Sequence, residues 1–183
     1  IELSYEKKLH KKVQSDICLT IPKGQKYFAW FKTFKKDNLC FLLQINRRFN
    51  SISNISVNIC CFDKILCADK GTILFGTIFY INKQPFFNIE NIYYSRGYSL
   101  IDVNQYNKLT EIGFIMKNYI KKVAYLPNST IFGTPNIAEN CYILKKCVND
   151  LPYELYSIQH RHLTVDKTYL NVPYKISKDK PPQ

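Results

Sequence analysis

Cysteine and histidine are the residues of this chain best suited to hold a metal. The 7 cysteines stand at positions 18, 40, 60, 61, 67, 141 and 147, and the 3 histidines at positions 10, 160 and 162. They form no Cys-x-x-Cys pair and no finger-like histidine spacing, so the sequence predicts no zinc site. Free buried thiols in a reducing compartment are the simplest prediction.

Two of the histidines flank an arginine in the segment His160-Arg161-His162. Successive side chains of a strand point to opposite faces, which predicts both histidines on one face and Arg161 on the other. Such a pair could bind a metal or a phosphate, but two solvent-facing histidines are the favoured interpretation. No residue is predicted as a metal ligand.

The chain is strongly basic. Its 26 Lys and Arg residues outnumber 14 Asp and Glu residues, which gives a formal net charge of +12. This surplus favours polyanionic partners such as RNA. Basic clusters in the first third, at Lys7–Lys12, Lys32–Lys36 and Arg47-Arg48, predict a folded basic face. Codon bias in an A/T-rich genome and an acidic protein partner are the alternatives.

The first half of the chain has the pattern of an antiparallel β-array. Its main feature is a hairpin, with one strand over Thr72–Tyr80, a turn at Asn82–Pro85 and a second strand from Pro85 to Tyr94. Earlier strands are predicted over 26–34, 39–45 and 55–62.

The second half changes to a helical period. Apolar residues recur at three- and four-residue spacing over 104–123, with Asp102 or Asn104 as the helix cap. A strand over 129–132, a helix over 138–148 and a strand over 153–163 complete an α+β domain. The predicted domain covers 26–165, between a basic N-terminal arm (1–25) and a flexible C-terminal tail (166–183). No apolar stretch is long enough to span a bilayer.

The hairpin resembles the central strands of the covalent nucleotidyltransferases, which comprise mRNA-capping guanylyltransferases and polynucleotide ligases. Thr72–Thr77 (TILFGT) stands where that family has a T-I-L-D-G-E motif, and Phe86–Tyr94 (FFNIENIYY) where it has an aromatic strand with one acidic residue. The resemblance implies a nucleotidyltransferase-like domain, antiparallel and β-rich, with two helices in its C-terminal half. It also implies that Glu90 occupies the acidic position.

The motif carboxylates of the family are missing. Phe75 and Thr77 replace its Asp and Glu, and no Lys-x-Asp-Gly motif is present. Lys32 is the positional candidate for the lysine nucleophile, although Phe34 and Lys35 then replace the motif Asp and Gly. The resemblance therefore predicts a scaffold that has lost catalysis and has no cofactor. Mg²⁺ or Mn²⁺ would be needed if the chain were active.

The cap-binding domain of snurportin, a guanylyltransferase-like fold without the chemistry, is similar in the same hairpin. This likeness implies aromatic faces for a base and cations for phosphates. The residues it selects are Trp30, Phe34, Tyr93 and Tyr94 for stacking, with Lys32, Lys35, Arg47, Arg48 and Arg96 for phosphate.

The chain also resembles proteins of large DNA viruses with A/T-rich genomes. The predicted function is binding of RNA or a nucleotide or cap end in viral transcription or mRNA capping, in a cytoplasmic viral factory or the virion. One alternative is a virion structural protein, such as a minor capsid or assembly component with acidic viral protein partners. The other is an active guanylyl- or adenylyltransferase with atypical motifs.

Overall fold

The computed structural model describes residues 14–174. Its strands are β1 (Ile17–Pro22), β2 (Gln25–Phe34), β3 (Asp37–Asn46), β4 (Ser51–Asn58), β5 (Cys61–Phe62), β6 (Thr72–Ile81), β7 (Gln84–Ser95), β8 (Tyr98–Ser99), β9 (Ile120–Lys121), β10 (Ile131–Gly133), β11 (Ile137–Ala138), β12 (Leu155–Arg161) and β13 (Leu170–Pro173). Its helices are α1 (Gln105–Asn118) and α2 (Cys141–Val148), with a 3₁₀ turn at Lys64–Cys67. The basic cluster Lys7–Lys12, His10 and the tail residues 175–183 lie outside this range.

Two sheets carry most of these strands. The larger sheet has the order β10-β7-β6-β2-β3-β4, with β8 paired to β7, and the smaller sheet has the order β11-β1-β12-β13. Pairing is antiparallel except between β10 and β7. The predicted α+β class with two helices in the C-terminal half is therefore confirmed.

The hairpin predicted from the sequence is confirmed as β6 and β7. Asn82 and Lys83 connect the strands and both have positive φ, 49° and 67°. Two successive residues with positive φ form the tight turn that matches the twist of a hairpin. The β2–β3 hairpin turns in the same way at Lys35 and Lys36, with φ of 48° and 75°.

The main hydrophobic core lies between α1 and one face of the larger sheet. Alternate residues of β2, such as Ala29 and Phe31, point into this core and are fully buried. Ile112 and Ile115 of α1 belong to the same core. The helix begins where Asn104 accepts a hydrogen bond from the backbone N–H of Asn107 at 3.0 Å. The opposite face of β2 is left to meet the smaller sheet.

The smaller sheet uses residues that sequence analysis placed in the terminal arms. Residues 17–22 belong to the predicted N-terminal arm but form β1, a fully buried strand between β11 and β12. Residues 170–173 belong to the predicted tail but form β13, which pairs with β12. Local polarity predicts an arm and a tail. The burial of these two strands comes instead from pairing between segments that are distant in the sequence.

A second, smaller core joins this sheet to α2. Cys18, Leu144 and Ile158 are its buried members, with Cys141 packed against them. Cys18 and Cys141 are joined as a disulfide, with Cα atoms 5.7 Å apart. The prediction of free buried thiols is wrong for this pair and is confirmed for Cys40 and Cys67. Cys60 and Cys61 are free but half-buried, and Cys147 is free but exposed. No helix in residues 14–174 is long and apolar enough to span a membrane.

Two glycines should respond to alanine substitution with opposite signs. A Cβ on Gly76 would lie 1.9 Å from the carbonyl oxygen of Asn88, whereas a Cβ on Gly113 meets nothing within 4 Å. Gly76→Ala should therefore lower the free energy of unfolding by about 2 kcal/mol or more. Gly113→Ala, on the exposed face of α1, should raise it by up to about 1 kcal/mol. Urea denaturation of both variants tests this, and an equal response would contradict the close approach of β6 and β7.

Candidate functional site

A cavity of about 380 Å³ separates the two sheets. The larger sheet lines it from β2, β3, β6 and β7, and the smaller sheet from β1, β12 and β13. Its lining residues are Ile21, Lys26, Phe28, Ile45, Arg47, Asn50, Phe75, Glu90, Asn91, Tyr93, Tyr156, Gln159, Arg161, Tyr169 and Asn171. The volume is within the range of small-molecule sites.

A buried ion pair forms one wall of this cavity. The Lys26 ammonium donates to Glu90 Oε2 at 2.5 Å and also to the hydroxyl of Thr77. Thr77 in turn donates to Glu90 Oε1 at 2.5 Å. The Lys26 and Glu90 side chains are only 6% and 3% exposed. The three residues form one closed hydrogen-bonded group across β2, β6 and β7.

The register of β7 explains why Glu90 reaches this group. Phe75 pairs with Asn91 and Gly76 pairs with Ile89, which leaves Glu90 as an extra residue on β7. Such a bulge re-aims the side chains around it. Glu90 and its neighbour Asn91 therefore both line the cavity, whereas regular alternation would turn one of them into the main core.

Burial changes the acid–base behaviour of Lys26. Loss of hydration lowers the pKa of the Lys26 ammonium, and the nearby Glu90 carboxylate opposes that shift. Arg47 and Arg161 add to the lowering by charge repulsion. The neutral amine is therefore more accessible to Lys26 than to a lysine in water.

Arg161 enters the cavity from the smaller sheet. Its side chain is fully buried, with Nε donating to Gln159 Oε1 at 2.8 Å and Nη1 to Gln105 Oε1 at 3.1 Å. Its guanidinium lies over the Tyr169 ring at 4.3 Å from the centroid. Burial lowers the pKa of Arg161, yet a guanidinium stays charged in proteins. Within residues 14–174 it forms no salt bridge with a carboxylate.

One buried hydrogen-bond donor at the cavity, on Asn171, is unsatisfied. Asn171 Oδ1 accepts from Ser157 Oγ at 3.1 Å and from Gln159 Nε2 at 3.0 Å. Asn171 Nδ2 is buried and has no hydrogen-bond partner among the described residues. Buried donors without partners are costly, so such a group indicates a place for an acceptor.

Aromatic side chains supply the apolar part of the lining. Phe28 contacts Phe75 and Tyr93, with ring centroids 5.5 Å and 5.8 Å apart. Burial raises the pKa of Tyr93 to about 12, so its phenol remains a neutral hydrogen-bond donor throughout the physiological range. The cavity thus combines aromatic surface with three cations, Lys26, Arg47 and Arg161, and one carboxylate, Glu90.

Three of the residues selected by resemblance line this cavity: Arg47, Glu90 and Tyr93. Lys32, the positional candidate for a nucleophile, lies further along β2 and donates to the carbonyl oxygen of Asp69. Trp30 donates its indole N–H to the carbonyl oxygen of Lys70 at 3.0 Å.

The other selected residues also lie elsewhere. Phe34 and Lys35 are exposed at the tip of the β2–β3 hairpin, where the Lys35 ammonium lies 5.5 Å from the Phe34 ring centroid. Arg96 forms an ion pair with Glu111 of α1 at 2.9 Å. Arg48 lines a neighbouring groove. Tyr94 is half-buried on β7, paired with Ile73 of β6.

Sequence reasoning missed Lys26 and Arg161. Strand alternation puts Arg161 on the face opposite to His160 and His162. If that face is buried, its arginine requires a partner, and this was a usable signal for a binding site. For Lys26 the signal was its position on the same face of β2 as Phe28. His160 is half-buried beside Cys18, at 3.5 Å between Nδ1 and Sγ, so the expectation of a solvent-facing pair is wrong for His160.

Comparisons with known proteins gave no family: neither the protein-family models nor the curated proteins contain a match to this chain.

The ion pair should show strong energetic coupling. Lys26→Met alone leaves the Glu90 carboxylate buried without a counter-charge. Glu90→Gln alone leaves the Lys26 ammonium buried without one. Each should lower the free energy of unfolding by about 3–5 kcal/mol, whereas the double variant should recover part of that loss. Urea denaturation of the wild type and the three variants forms the test. Additive losses would contradict a paired, buried Lys26–Glu90 interaction.

Proposed function

We propose that the chain binds a nucleotide, or the nucleotide-bearing end of an RNA, in the cavity between its two sheets. The observation that carries this proposal is Arg161, a buried guanidinium without a carboxylate partner among residues 14–174. A phosphate group would compensate its charge and match its planar donor geometry.

Electrostatics favours an anionic ligand over a neutral one. Glu90 is neutralised by Lys26 at 2.5 Å, which leaves the charge of Arg161 to the ligand. The unsatisfied Asn171 Nδ2 adds a neutral donor on the same side of the cavity. A phosphate would therefore compensate the Arg161 charge and accept a hydrogen bond from Asn171 Nδ2.

The aromatic surface suits a base. Phe28, Phe75 and Tyr93 form one contiguous ring cluster in the larger sheet, and Tyr156 and Tyr169 line the cavity from the smaller sheet. Stacking of a base on such rings tolerates any base and contributes about 1–3 kcal/mol. Rings and cations within one cavity support a nucleotide rather than inorganic phosphate.

A neighbouring groove supports a longer RNA ligand. The groove has a volume of about 420 Å³ and shares Lys26, Ile45 and Arg47 with the cavity. Arg48 lies along it. Phosphates beyond the first nucleotide could follow this basic path, consistent with the net charge of +12. The nucleotidyltransferase-like hairpin supports the same class of ligand, and a role in viral transcription or mRNA capping belongs to this proposal.

Removing the charge of Arg161 should weaken nucleotide binding. Arg161→Met should lower the affinity for GTP, ATP or a short 5′-triphosphorylated RNA by about tenfold or more, because charge-assisted hydrogen bonds are lost. Arg161→Lys, which keeps the charge, should lose less. Isothermal titration calorimetry at several salt concentrations measures both affinity and its salt dependence.

Lys117→Gln is the matched control for that experiment. Lys117 is exposed in the last turn of α1 and is not among the residues that line the cavity, and its substitution changes the net charge by the same amount. Its affinity should equal that of the wild type. An equal loss of affinity in Arg161→Met and Lys117→Gln would show that binding depends on the net charge of the chain and not on Arg161. If the wild-type chain binds none of these ligands, the proposal is wrong, and the alternative of a virion structural protein becomes the one to test.

Lys26 gives a specific reason to consider covalent nucleotidyl transfer as a second function. It is a buried lysine with a lowered pKa inside the cavity, which is the condition for a nucleophilic amine. Its neutral Nζ would attack the α-phosphorus of a nucleoside triphosphate with Mg²⁺ or Mn²⁺ bound to the phosphates. A P–N bond would form, the bond to pyrophosphate would break, and Glu90 would accept the amine proton.

Intact-protein mass spectrometry tests this second function. Incubation with GTP or ATP and Mg²⁺ or Mn²⁺ should add one nucleoside monophosphate to the wild type and none to Lys26→Arg. The added fraction should rise with pH as the amine loses its proton. Lys32→Ala should retain the adduct, because Lys32 lies outside the cavity. If the wild type forms no adduct with either metal, the second function is wrong and only the proposal of non-covalent binding remains.

A further inference from the structure

Three side chains from distant parts of the sequence meet at the outer side of the smaller sheet. Cys18 lies on β1, and its register partner on β12 is His160. On its other side Cys18 is paired with Ala138 of β11, and the chain then enters α2 at Cys141. Because β1 pairs on both sides, His160 and Cys141 are both brought close to Cys18.

The donor atoms of these residues are close to one another. Cys18 Sγ lies 3.5 Å from His160 Nδ1, and Cys141 Sγ lies 3.6 Å from the same nitrogen. All three side chains offer ligand atoms within 4.8 Å of one another. A tetrahedral zinc ion, with bonds of about 2.3 Å to sulfur and about 2.0 Å to nitrogen, requires sulfur–nitrogen distances of about 3.5 Å.

We propose that the reduced chain binds one Zn²⁺ ion through Cys18, Cys141 and His160. Two thiolates and one imidazole are a donor set that zinc prefers, and two thiolates neutralise the ion's charge. The Ser15 hydroxyl, 3.0 Å from His160 Nδ1, is a protein oxygen beside the remaining position. Water or this hydroxyl completes the tetrahedron.

The surroundings of the three residues suit a structural metal site. Cys18 is 1% exposed, and Leu144 and Ile158 pack beside it in the smaller core. An apolar shell limits water access and strengthens the metal–ligand bonds. Zinc would attach α2 to β1 and β12, and it would fix the strand position directly before Arg161. This role is independent of the nucleotide proposal.

The disulfide is the metal-free, oxidised form of the same cysteine pair. Its sulfurs cannot bind zinc while they are bonded to each other, because the ligand is the thiolate. Five other described cysteines are free thiols, and a compartment that keeps them reduced favours the dithiol form of this pair as well. The proposal therefore concerns the chain under reducing conditions.

Metal titration of the full chain tests this proposal. The protein is kept reduced with a phosphine and freed of metal, then titrated with Zn²⁺ against a chromophoric chelator and, separately, with Co²⁺. We expect one Zn²⁺ per chain, and a tetrahedral Co²⁺ spectrum with a thiolate-to-metal charge-transfer band. Added Zn²⁺ should also raise the unfolding temperature.

Variants of the half-buried ligands identify the site. Cys141→Ser and His160→Asn should each weaken zinc binding by more than about 100-fold. Residues that only support a metal ligand cost up to about that much when they are mutated, and a ligand itself should cost more. Cys147→Ser is the matched control, because Cys147 is an exposed free thiol on the same helix, and it should bind like the wild type. The chain oxidised to the disulfide should bind no zinc.

Several outcomes would overturn the proposal. These are a reduced wild type that binds no zinc, a Co²⁺ spectrum without thiolate bands, equal affinity in the Cys141 and Cys147 variants, or undiminished binding by the oxidised chain. The Co²⁺ spectrum uses only the wild type, so the test holds even if a ligand variant fails to fold. Nucleotide affinity is measured separately, and its absence would not affect the zinc result.

Discussion

The ion pair between Lys26 and Glu90 sets the character of the space between the two sheets. It joins β2 to β7 across β6, with the Thr77 hydroxyl bonded to both charges. A buried charge needs a close partner, so the pair fixes the positions of three strands relative to one another. It also cancels the single carboxylate of the described lining, which leaves Arg161 without a carboxylate partner there.

The hairpin of β6 and β7 makes that pair possible. The bulge at Glu90 breaks the two-residue alternation, so that Glu90 and Asn91 both face the cavity. Gly76 stands opposite, where the carbonyl oxygen of Asn88 leaves no room for a Cβ. The same hairpin carries the resemblance to nucleotidyltransferases, and its substitutions have local consequences. Phe75 contributes an aromatic ring to the cavity, and Thr77 contributes a hydroxyl to the ion pair.

These residues suit the proposed binding of a nucleotide better than metal-dependent chemistry. A metal that activates a triphosphate prefers several oxygen ligands, and among the described lining residues Glu90 is the one carboxylate, already held by Lys26. The cations and rings remain suited to phosphate and base. The lysine that the cavity does contain is Lys26 rather than Lys32, so any surviving covalent reaction would depend on the pair that also stabilises the fold.

The sequence by itself determined the local features: the hairpin with a turn within Asn82–Pro85, a cap of α1 at Asp102 or Asn104, the α+β class and the basic character. Each follows from residues near one another in the chain, where periodicity and turn chemistry act. The tertiary structure alone decided that residues 17–22 and 170–173 are strands, that Cys18 meets Cys141 and His160, and that Lys26 pairs with Glu90 while Arg161 enters the same cavity. These contacts join segments far apart in the sequence, and they depend on strand pairing and a bulge that local pattern does not encode.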